Sequence, residues 1–302
     1  MEIRELNYRA GWLIADYLNE TPQAVTPELM AEMLPGPADA AVEEVVYRAM
    51  LCAFLGLNPD ESEEDRLIET RYLVPGLRRL DPEPYRNNPY FKSLHFPEQQ
   101  VGNWRLTQGH YAPYELFLRD DLILTDDLRQ IPAIGYFAEP YSYPSVLQGE
   151  REWMSLKPSE IESSQAAVDA AFGRVVTFGL GLGYFAFMAS EKADVSAVTV
   201  VERDRSVIRL FEQVLLPQFP NAGKITIVQA DAFDYLAHRM RPDEADFVFM
   251  DIWHDIADGA PLYVRAKGYE SRFPRTRFTY WIERSLRCAL VDALTRDALS
   301  KS

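Results

Sequence analysis

The sequence has few of the residues that build disulfide frameworks or metal clusters. It contains two cysteines and four histidines among 302 residues. Cys52 and Cys288 stand apart in the apolar stretches MLCAFLGL and SLRCALVDAL, with no second cysteine or histidine at ligand spacing. We therefore expect two buried free thiols, and the sequence predicts no bound metal.

Long hydrophobic runs are also missing. The first residues, MEIRELNYRAGWLIADYLNE, mix charges into every turn. A signal peptide needs an apolar core, and a membrane helix needs about 20 apolar residues. The proportions of 47% hydrophobic and 25% charged residues are typical of a globular protein. The sequence thus predicts a cytoplasmic protein without a membrane partner.

Positive charge is scarce. The formal net charge is -15, whereas proteins that bind nucleic acid usually present a basic face. Most of the acidic excess lies before residue 150, and the stretch from Arg265 onward is mildly basic and interleaves arginines with aromatic residues. The charge therefore favours a small molecule or a protein as partner over a nucleic acid, which it leaves open.

The sequence pattern divides the chain into three regions. Residues 1–112 are predicted to be mainly helical up to about Leu80, with a connector rich in proline and asparagine from Asp81 to Ala112. Residues 113–157 are predicted to form a small β region with short strands over residues 114–118, 122–124, 134–137 and 152–156. Residues 158–302 are predicted to form an α/β domain.

Strands and helices alternate regularly in this last region. A helix over KPSEIESSQAAVDAAFG leads into the strand VVTF, and VTVVE, ITIVQ and DFVFMD are further strands separated by helices. Continuous apolar strands of this kind predict a parallel sheet that is buried on both faces. The expected fold class is α/β, with a Rossmann-like, doubly wound, mostly parallel sheet. In such sheets ligands bind at the carboxyl ends of the strands, near the topological switch point.

A glycine turn or an acidic residue stands at the carboxyl end of each of these strands. In chain order they are Gly179-Leu180-Gly181-Leu182-Gly183, Glu202, Asp231-Ala232 and Asp251. Glycines let the backbone approach a ligand closely, and the helix that follows directs its N–H groups towards that ligand. A carboxylate in the position of Glu202 suits a ribose diol. The set predicts a site for a nucleotide-type ligand.

These motifs resemble those of class I S-adenosylmethionine-dependent methyltransferases. FGLGLGYF, VTVVERD, VQADAFDYL and DFVFMDI are similar to four successive motifs of the family, over about 80 residues. The resemblance implies a methyltransferase that uses S-adenosylmethionine and acts on an unidentified acceptor. The resemblance places Gly179, Gly181 and Gly183 at the methionine and ribose parts, Glu202 at the ribose, Asp231 at the adenine edge, and Asp251 near the methionine end and the acceptor. Leu180, Arg203 and Ala232, beside these residues, complete the implied set of cofactor-binding residues.

Catalytic candidates follow from the same strand ends. Asp251 is placed to face the reacting group, and His254 is a candidate proton acceptor. Asp251, His254 and Asp255 are also of metal-ligating types within one turn of chain, although no further ligand is evident. The resemblance also implies that the segment 153–160, from Trp153 and Met154 to Lys157 and Glu160, reaches the crevice from the side. Lys157 and Glu160 are then candidates to contact the cofactor carboxylate or the acceptor.

The pattern departs from the family after Asp251. About 50 residues remain, a helix is predicted over residues 280–299, and neither a fifth strand nor a final antiparallel pair is evident. We therefore expect a truncated C-terminal part. Two alternatives stay open: an aminopropyl transferase of the same fold, whose cationic acceptor would fit the negative charge, and a non-catalytic sensor or interaction protein that binds S-adenosylmethionine.

Overall fold

In a computed structural model of the protein, which describes residues 2–34, 36 and 38–300, the chain forms two units. The helical unit comprises Met1–Pro84 and His110–Ser142, and the α/β unit comprises Tyr85–Gly109 and Tyr143–Ser302. Segments 85–109 and 143–157 thus belong to the same unit as the α/β region, whereas the sequence pattern assigns them to the two regions before it.

The elements have the following bounds. The helices are α1 Ile3–Glu20, α2 Pro27–Met33, α3 Ala40–Phe54, α4 Glu63–Ile68, α5 Val74–Gly76, α6 Glu83–Arg86, α7 Pro89–Ser93, α8 Pro158–Ala170, α9 Tyr184–Glu191, α10 Arg205–Leu210, α11 Ala232–Asp234, α12 Ile256–Lys267 and α13 Glu283–Ser300. The strands are β1 Leu77–Leu80, β2 Gln99–Val101, β3 Trp104–Tyr111, β4 Phe117–Leu118, β5 Ile123–Leu124, β6 Gln130–Ile131, β7 Ile134–Phe137, β8 Tyr141–Gln148, β9 Arg151–Ser155, β10 Gly173–Phe178, β11 Val195–Glu202, β12 Ile225–Gln229, β13 Phe247–Met250 and β14 Arg277–Tyr280.

Two expectations from composition can be compared with these elements. Cys52 and Cys288 are buried thiols, as predicted, and neither forms a disulfide bond. Burial raises the pKa of the Cys52 thiol to about 12, which keeps it protonated at neutral pH. Among the described residues, no helix is both long enough and apolar enough to cross a membrane.

The helical unit is held together by an apolar stripe on α1. Leu6, Ala10, Ile14 and Tyr17 recur at helical spacing and are buried. They belong to one core with Tyr47 of α3 and residues of β1 and β7. β7 pairs in parallel with β1 and antiparallel with β4. The strand predicted over residues 134–137 coincides with β7, while those predicted over residues 114–118 and 122–124 are shortened to β4 and β5.

A parallel sheet forms the centre of the α/β unit. Among the described residues it has five strands, in the order β12-β11-β10-β13-β14. All four residues of β13 are buried, so both faces of the sheet are covered. The chain runs outward from β10 to β12 and then returns to place β13 on the other side of β10. The predicted parallel sheet is confirmed, and its switch point lies between β10 and β13.

The expectation that the sheet lacks a fifth strand is wrong. β14 pairs in parallel with β13, from Phe247 opposite Arg277 to Met250 opposite Tyr280. Its sequence, RFTY, has four residues and begins with an exposed arginine, so it has too short an apolar run to be recognised as a strand. The helix predicted from residue 280 begins at Glu283 instead.

The segment predicted as a connector also has regular structure. It contains α6, α7, β2 and β3, and β3 belongs to a four-stranded sheet in the order β2-β3-β8-β9. The polar residues of β3 (WRLTQGHY) and the proline inside β8 (YSYPSVLQ) obscure the strand pattern. From α7, the buried Tyr90 donates a hydrogen bond to the carbonyl of Leu182. This segment thus supports the glycine turn after β10.

Candidate active site

A crevice of about 470 Å³ opens at the carboxyl edge of the parallel sheet, beside the switch point. Residues 179–181, 201–204, 230–233 and 251–254, which end or follow four of the strands, line it. Pockets of about 300 to 1,000 Å³ are typical of small-molecule sites. The crevice is lined by these predicted site residues: Gly179, Leu180, Gly181, Glu202, Arg203, Asp231, Ala232, Asp251 and His254. Gly183 lies outside the lining, at the start of α9.

The three glycines of the turn have backbone conformations that disfavour other residues. Their φ angles are 93° at Gly179, 53° at Gly181 and 77° at Gly183. A Cβ atom at Gly179 would overlap the backbone carbonyl oxygen of Asp251, which cannot move aside independently. A Cβ atom at Gly181 would meet only the flexible side chain of Met154. The turn therefore brings the backbone ends of β10 and β13 into direct contact.

Met154 of β9 lies across this turn, and the N–H of Leu182 donates to its sulfur. A second, smaller cavity of about 40 Å³, which we call the inner pocket, adjoins the crevice here. Met154, Gly179, Leu180 and Asp251 line both cavities. The polar residues of the inner pocket include Glu160, Ser164, Thr177 and Asp251, and its aromatic residues are Tyr184, Phe185 and Phe249.

Glu202 is held rigidly at the end of β11. One carboxylate oxygen accepts a hydrogen bond from the N–H of Leu180 at 3.1 Å, and the other accepts one from the N–H of Asp204 at 2.7 Å. Each carboxylate oxygen has a second lone pair. The carboxylate is therefore fixed by the glycine turn and keeps acceptor capacity for ligand hydroxyl groups.

Asp231 is the N-cap residue of α11. Its Oδ1 accepts hydrogen bonds from the N–H groups of Phe233 at 2.9 Å and Asp234 at 3.0 Å. The residue is exposed and lines the crevice. One of its oxygens is thus committed to the helix.

Asp251 and Glu160 are two partly buried carboxyl groups. Removal from water, together with the charge of Glu202, raises the pKa of Asp251 to about 7. Removal from water and the charge of Asp251 raise the pKa of Glu160, in the first turn of α8, to about 8. Near neutral pH both groups can therefore exchange protons.

Lys157 pairs with Glu152 and does not line the inner pocket with Glu160 and Asp251. Its ammonium group forms an ion pair with Glu152 and lies 5.4 Å from the ring centre of Tyr143. Its charge lowers the pKa of Glu160 by less than burial and Asp251 raise it. Of the two residues predicted ahead of the first strand, Glu160 lines the inner pocket and Lys157 does not.

His254 and Asp255 occupy the rim of the crevice and the start of α12. The His254 ring is exposed and stacks on Trp153, with ring centroids 6.1 Å apart. Asp255 forms a reciprocal capping box with Asp258, so its carboxylate serves the helix. In the described part of the chain, no group of three metal-ligating side chains lies close enough together to hold a metal ion.

Some residues of the crevice have no signal in the sequence pattern. Trp104 of β3 meets Trp153 edge to face, with ring centroids 5.6 Å apart. Elsewhere in the lining, the guanidinium group of Arg265 lies 3.8 Å from the ring centre of Phe233. Trp104 is far from the glycine turn in the sequence. It reaches the crevice because β3 belongs to the four-stranded sheet β2-β3-β8-β9. Helical spacing from Asp255 could have indicated that Arg265 lies on α12, but not which surface it faces.

No family model matches the sequence, and no curated protein matches it. Among solved structures, the chain is similar to a Klebsiella pneumoniae protein assigned as an O-methyltransferase, with 19% identity and a TM-score of 0.28, over 37% of this chain and 48% of that one. It is also similar to M. jannaschii TYW2, solved in complex with AdoMet, with 15% identity and a TM-score of 0.27, over 40% and 53%.

The chain spans about half the length of each of these two structures. Because these similarities cover only part of each chain, the fold is assigned from the strand topology of this protein. The strand order of the parallel sheet and the glycine turn at its switch point are those of a Rossmann-like doubly wound fold. The α/β unit therefore has a Rossmann-like fold with a mostly parallel, doubly wound sheet, as the sequence pattern predicts.

Proposed function

We propose that this protein is a methyltransferase that binds S-adenosylmethionine in the crevice at the switch point. One observation carries the proposal: a glycine turn and three carboxylates, from the ends of four parallel strands, line a single crevice. Carboxylates suit a ligand that presents hydroxyl and amino donors, and the glycine turn allows close backbone approach. S-adenosylmethionine presents these donors on its ribose, adenine and amino-acid parts.

The proposed cofactor contacts follow the order of the strands. Residues of the glycine turn hold the methionine and ribose parts, and Glu202 accepts hydrogen bonds from the ribose hydroxyls. Because Glu202 is already fixed by two backbone N–H groups, little conformational entropy is lost on binding. Asp231, beside Ala232, accepts a hydrogen bond from the adenine amino group. Asp251 lies towards the methionine end.

The side chain of Met154 covers part of the glycine turn that such a ligand would contact. It rests on Gly181 and accepts from the N–H of Leu182. Methionine is unbranched and has three rotatable side-chain bonds, so a change of rotamer is enough to expose the turn. The residues that line the crevice therefore fit the cofactor.

The protein's contribution to catalysis would be positioning and proton removal. S-adenosylmethionine supplies an activated methyl group when bound. The residues around it hold the acceptor in line and reduce contact with water, with Trp104 and Trp153 on one side of the crevice. Asp251 is the proposed proton acceptor, because a pKa of about 7 suits general base catalysis at neutral pH. His254, exposed at the rim, is the second candidate.

A ligand panel tests the proposal. Thermal unfolding is measured with S-adenosylmethionine, S-adenosylhomocysteine, decarboxylated S-adenosylmethionine and NAD, all at one concentration, about 100 times the dissociation constant for S-adenosylhomocysteine. Such a concentration stabilises a protein by about 2.7 kcal/mol, or roughly 5 to 10 °C for a unit of this size. We expect shifts with the first two ligands that shrink in Glu202→Gln and persist in Glu212→Gln, an exposed acid on the same unit.

The other outcomes of the panel identify the alternatives. A shift with decarboxylated S-adenosylmethionine alone would indicate an aminopropyl transferase. A shift with S-adenosylmethionine, but no methyl transfer to any tested acceptor, would indicate a sensor. No shift with any ligand would refute the proposed site.

A further inference from the structure

Two aromatic side chains, Trp153 of β9 and His254, lie next to each other in the lining of the crevice. Their ring planes differ by 24°, so the rings are nearly parallel, and their centroids are 6.1 Å apart. The His254 side chain is exposed, and Trp153 is 37% exposed. Aromatic side chains that stay accessible inside a concave site are typical of surfaces that contact a ligand. We call these two residues the ring pair.

Both members of the ring pair are held in position by the rest of the unit. Trp104 of β3, which is only 3% exposed, meets the indole of Trp153 edge to face, an arrangement that stabilises aromatic pairs. The backbone N–H of His254 donates to the carboxylate of Asp258 at 3.1 Å. The imidazole at the rim is therefore the part of the ring pair that can turn most easily.

The ring pair stands apart from the strand ends that are proposed to hold the ribose and the adenine. Glu202 ends β11 and Asp231 follows β12, and both strands lie on one side of β10. His254 follows β13, on the other side of β10. Asp251, the proposed proton acceptor, also follows β13. A group bound at the ring pair is thus on the side of the crevice where the acceptor is expected.

The geometry of the ring pair favours a flat ligand. Carbon atoms pack about 3.5 to 4.0 Å apart, so a ring inserted between two others needs about 7 to 8 Å between their centroids. The separation of 6.1 Å has to increase by only about 1 to 2 Å, which a rotation of the exposed imidazole supplies. A saturated ring is thicker and needs a wider opening. A cation uses the face of a single ring, so two nearly parallel faces suit a planar group better.

We infer that the methyl acceptor carries a planar aromatic ring, which binds between Trp153 and His254; this rests on the proposed function. Contact on both faces fixes the plane of the ring, and with it the direction of any group attached to the ring. Methyl transfer needs this control, because the accepting atom has to be held in line with the methyl group. The ring pair therefore selects the acceptor by its shape and also orients it.

Three probes test the inference by ligand-observed NMR: benzyl alcohol, cyclohexylmethanol and tetramethylammonium. The two alcohols have the same hydroxymethyl group and the same number of carbon atoms, and only the first is aromatic. Each titration is run with and without saturating S-adenosylhomocysteine. We expect benzyl alcohol to bind about three- to tenfold more tightly than cyclohexylmethanol in both conditions, although cyclohexylmethanol is the more apolar of the two. Tetramethylammonium should bind more weakly than benzyl alcohol.

Substitutions in the ring pair show whether it is the source of this preference. Trp153→Leu and His254→Leu each remove one ring, and we expect each to reduce the preference for benzyl alcohol to less than about twofold. His254→Phe keeps a flat ring without a proton-accepting nitrogen, and it should retain the preference. Trp12→Leu is the matched control, since it makes the same change at a tryptophan of α1 that is 55% exposed in the helical unit. It should have no effect.

Several results would overturn the inference: equal affinity for the two alcohols, tighter binding of tetramethylammonium than of benzyl alcohol, or an unchanged preference in both leucine variants of the ring pair. Displacement of benzyl alcohol by S-adenosylhomocysteine would also overturn it, because the ring pair would then hold the adenine. S-adenosylhomocysteine binding without an aromatic preference would refute the inference and leave the proposed function standing. An aromatic preference without S-adenosylhomocysteine binding would refute the proposed function and retain the ring pair as a site for an aromatic ligand.

Discussion

Asp231 has a structural role and a proposed binding role, and two substitutions separate them. Its Oδ1 caps α11 through the N–H groups of Phe233 and Asp234. Asparagine caps a helix as well as aspartate does, whereas alanine removes the cap and destabilises the protein by about 1 kcal/mol. We expect Asp231→Ala to lower the melting temperature by roughly 2 to 4 °C, and Asp231→Asn to leave it within about 1 °C.

The effect on binding should be different. In Asp231→Asn the single side-chain oxygen stays with the cap, so the amide NH₂ group faces the crevice. A donor then replaces the acceptor that the adenine amino group requires. A hydrogen bond to a charged acceptor contributes about 1.5 to 3 kcal/mol, so the dissociation constant for S-adenosylhomocysteine should rise about 10- to 100-fold in both variants.

Thermal unfolding and isothermal titration calorimetry measure the two effects separately. Asp39→Asn is the control, since Asp39 caps α3 in the helical unit through the N–H of Val42 at 2.9 Å. It makes the same chemical change and should alter neither the melting temperature nor the affinity. Wild-type affinity in Asp231→Asn would refute the binding role, and an unchanged melting temperature in Asp231→Ala would refute the cap.

Three further predictions concern stability and pH. The pKa of Asp65 is lowered by a hydrogen bond from the N–H of Asn58 and by Arg9, whose Nη2 lies 2.6 Å from Oδ1 of Asp65. The ionised carboxylate therefore contributes its full stabilisation of the folded state above pH about 4. This contribution is lost as the pH falls through the lowered pKa. Asp65→Asn should therefore reduce the free energy of unfolding, measured in urea, by about 2 kcal/mol at pH 6, and should match the wild type near pH 2. An equal difference at the two pH values would contradict the role of the Asp65 charge. Gly179→Ala should destabilise the protein by about 2 kcal/mol more than Gly181→Ala, because only the first overlaps backbone, and equal urea midpoints would contradict this. Because the pKa of Asp251 is about 7, with Glu160 and Glu202 as its acidic neighbours, the methyl-transfer rate should rise from pH 6 to 8; the same rise in Asp251→Asn would exclude it as the base.

The parallel sheet could be predicted because its strands are dominated by apolar and β-branched residues. VTVVE and DFVFMD have no competing interpretation once helices flank them, and the parallel connection then fixes which strand ends lie together. β14 could not be predicted, since four residues with an arginine give no usable period. β8 was obscured by a proline that the sheet nevertheless accommodates.

The residues of the crevice that stand at strand ends could be predicted from the sequence. The glycine turn, Glu202, Asp231 and Asp251 follow directly from the strand register, and they do line one crevice. Their functional roles stay predictions. Met154 belongs to the segment predicted to reach the crevice, and it does line it. Its contact with the glycine turn depends on how β9 packs there, which no local pattern encodes. The role of Asp255 as a helix cap could have been predicted, since aspartate is a preferred N-cap residue and a second acid, Asp258, follows three positions later.

The most direct test of the proposed cofactor site is a crystal structure of the protein with S-adenosylhomocysteine. We expect the ribose hydroxyls to lie within hydrogen-bond distance of the Glu202 carboxylate and the adenine to lie beside Asp231 and Ala232. We also expect the side chain of Met154 to have rotated away from Gly181. Ligand bound elsewhere, or a crevice without ligand at saturating concentration, would contradict the claim that these strand ends form a site for S-adenosylmethionine.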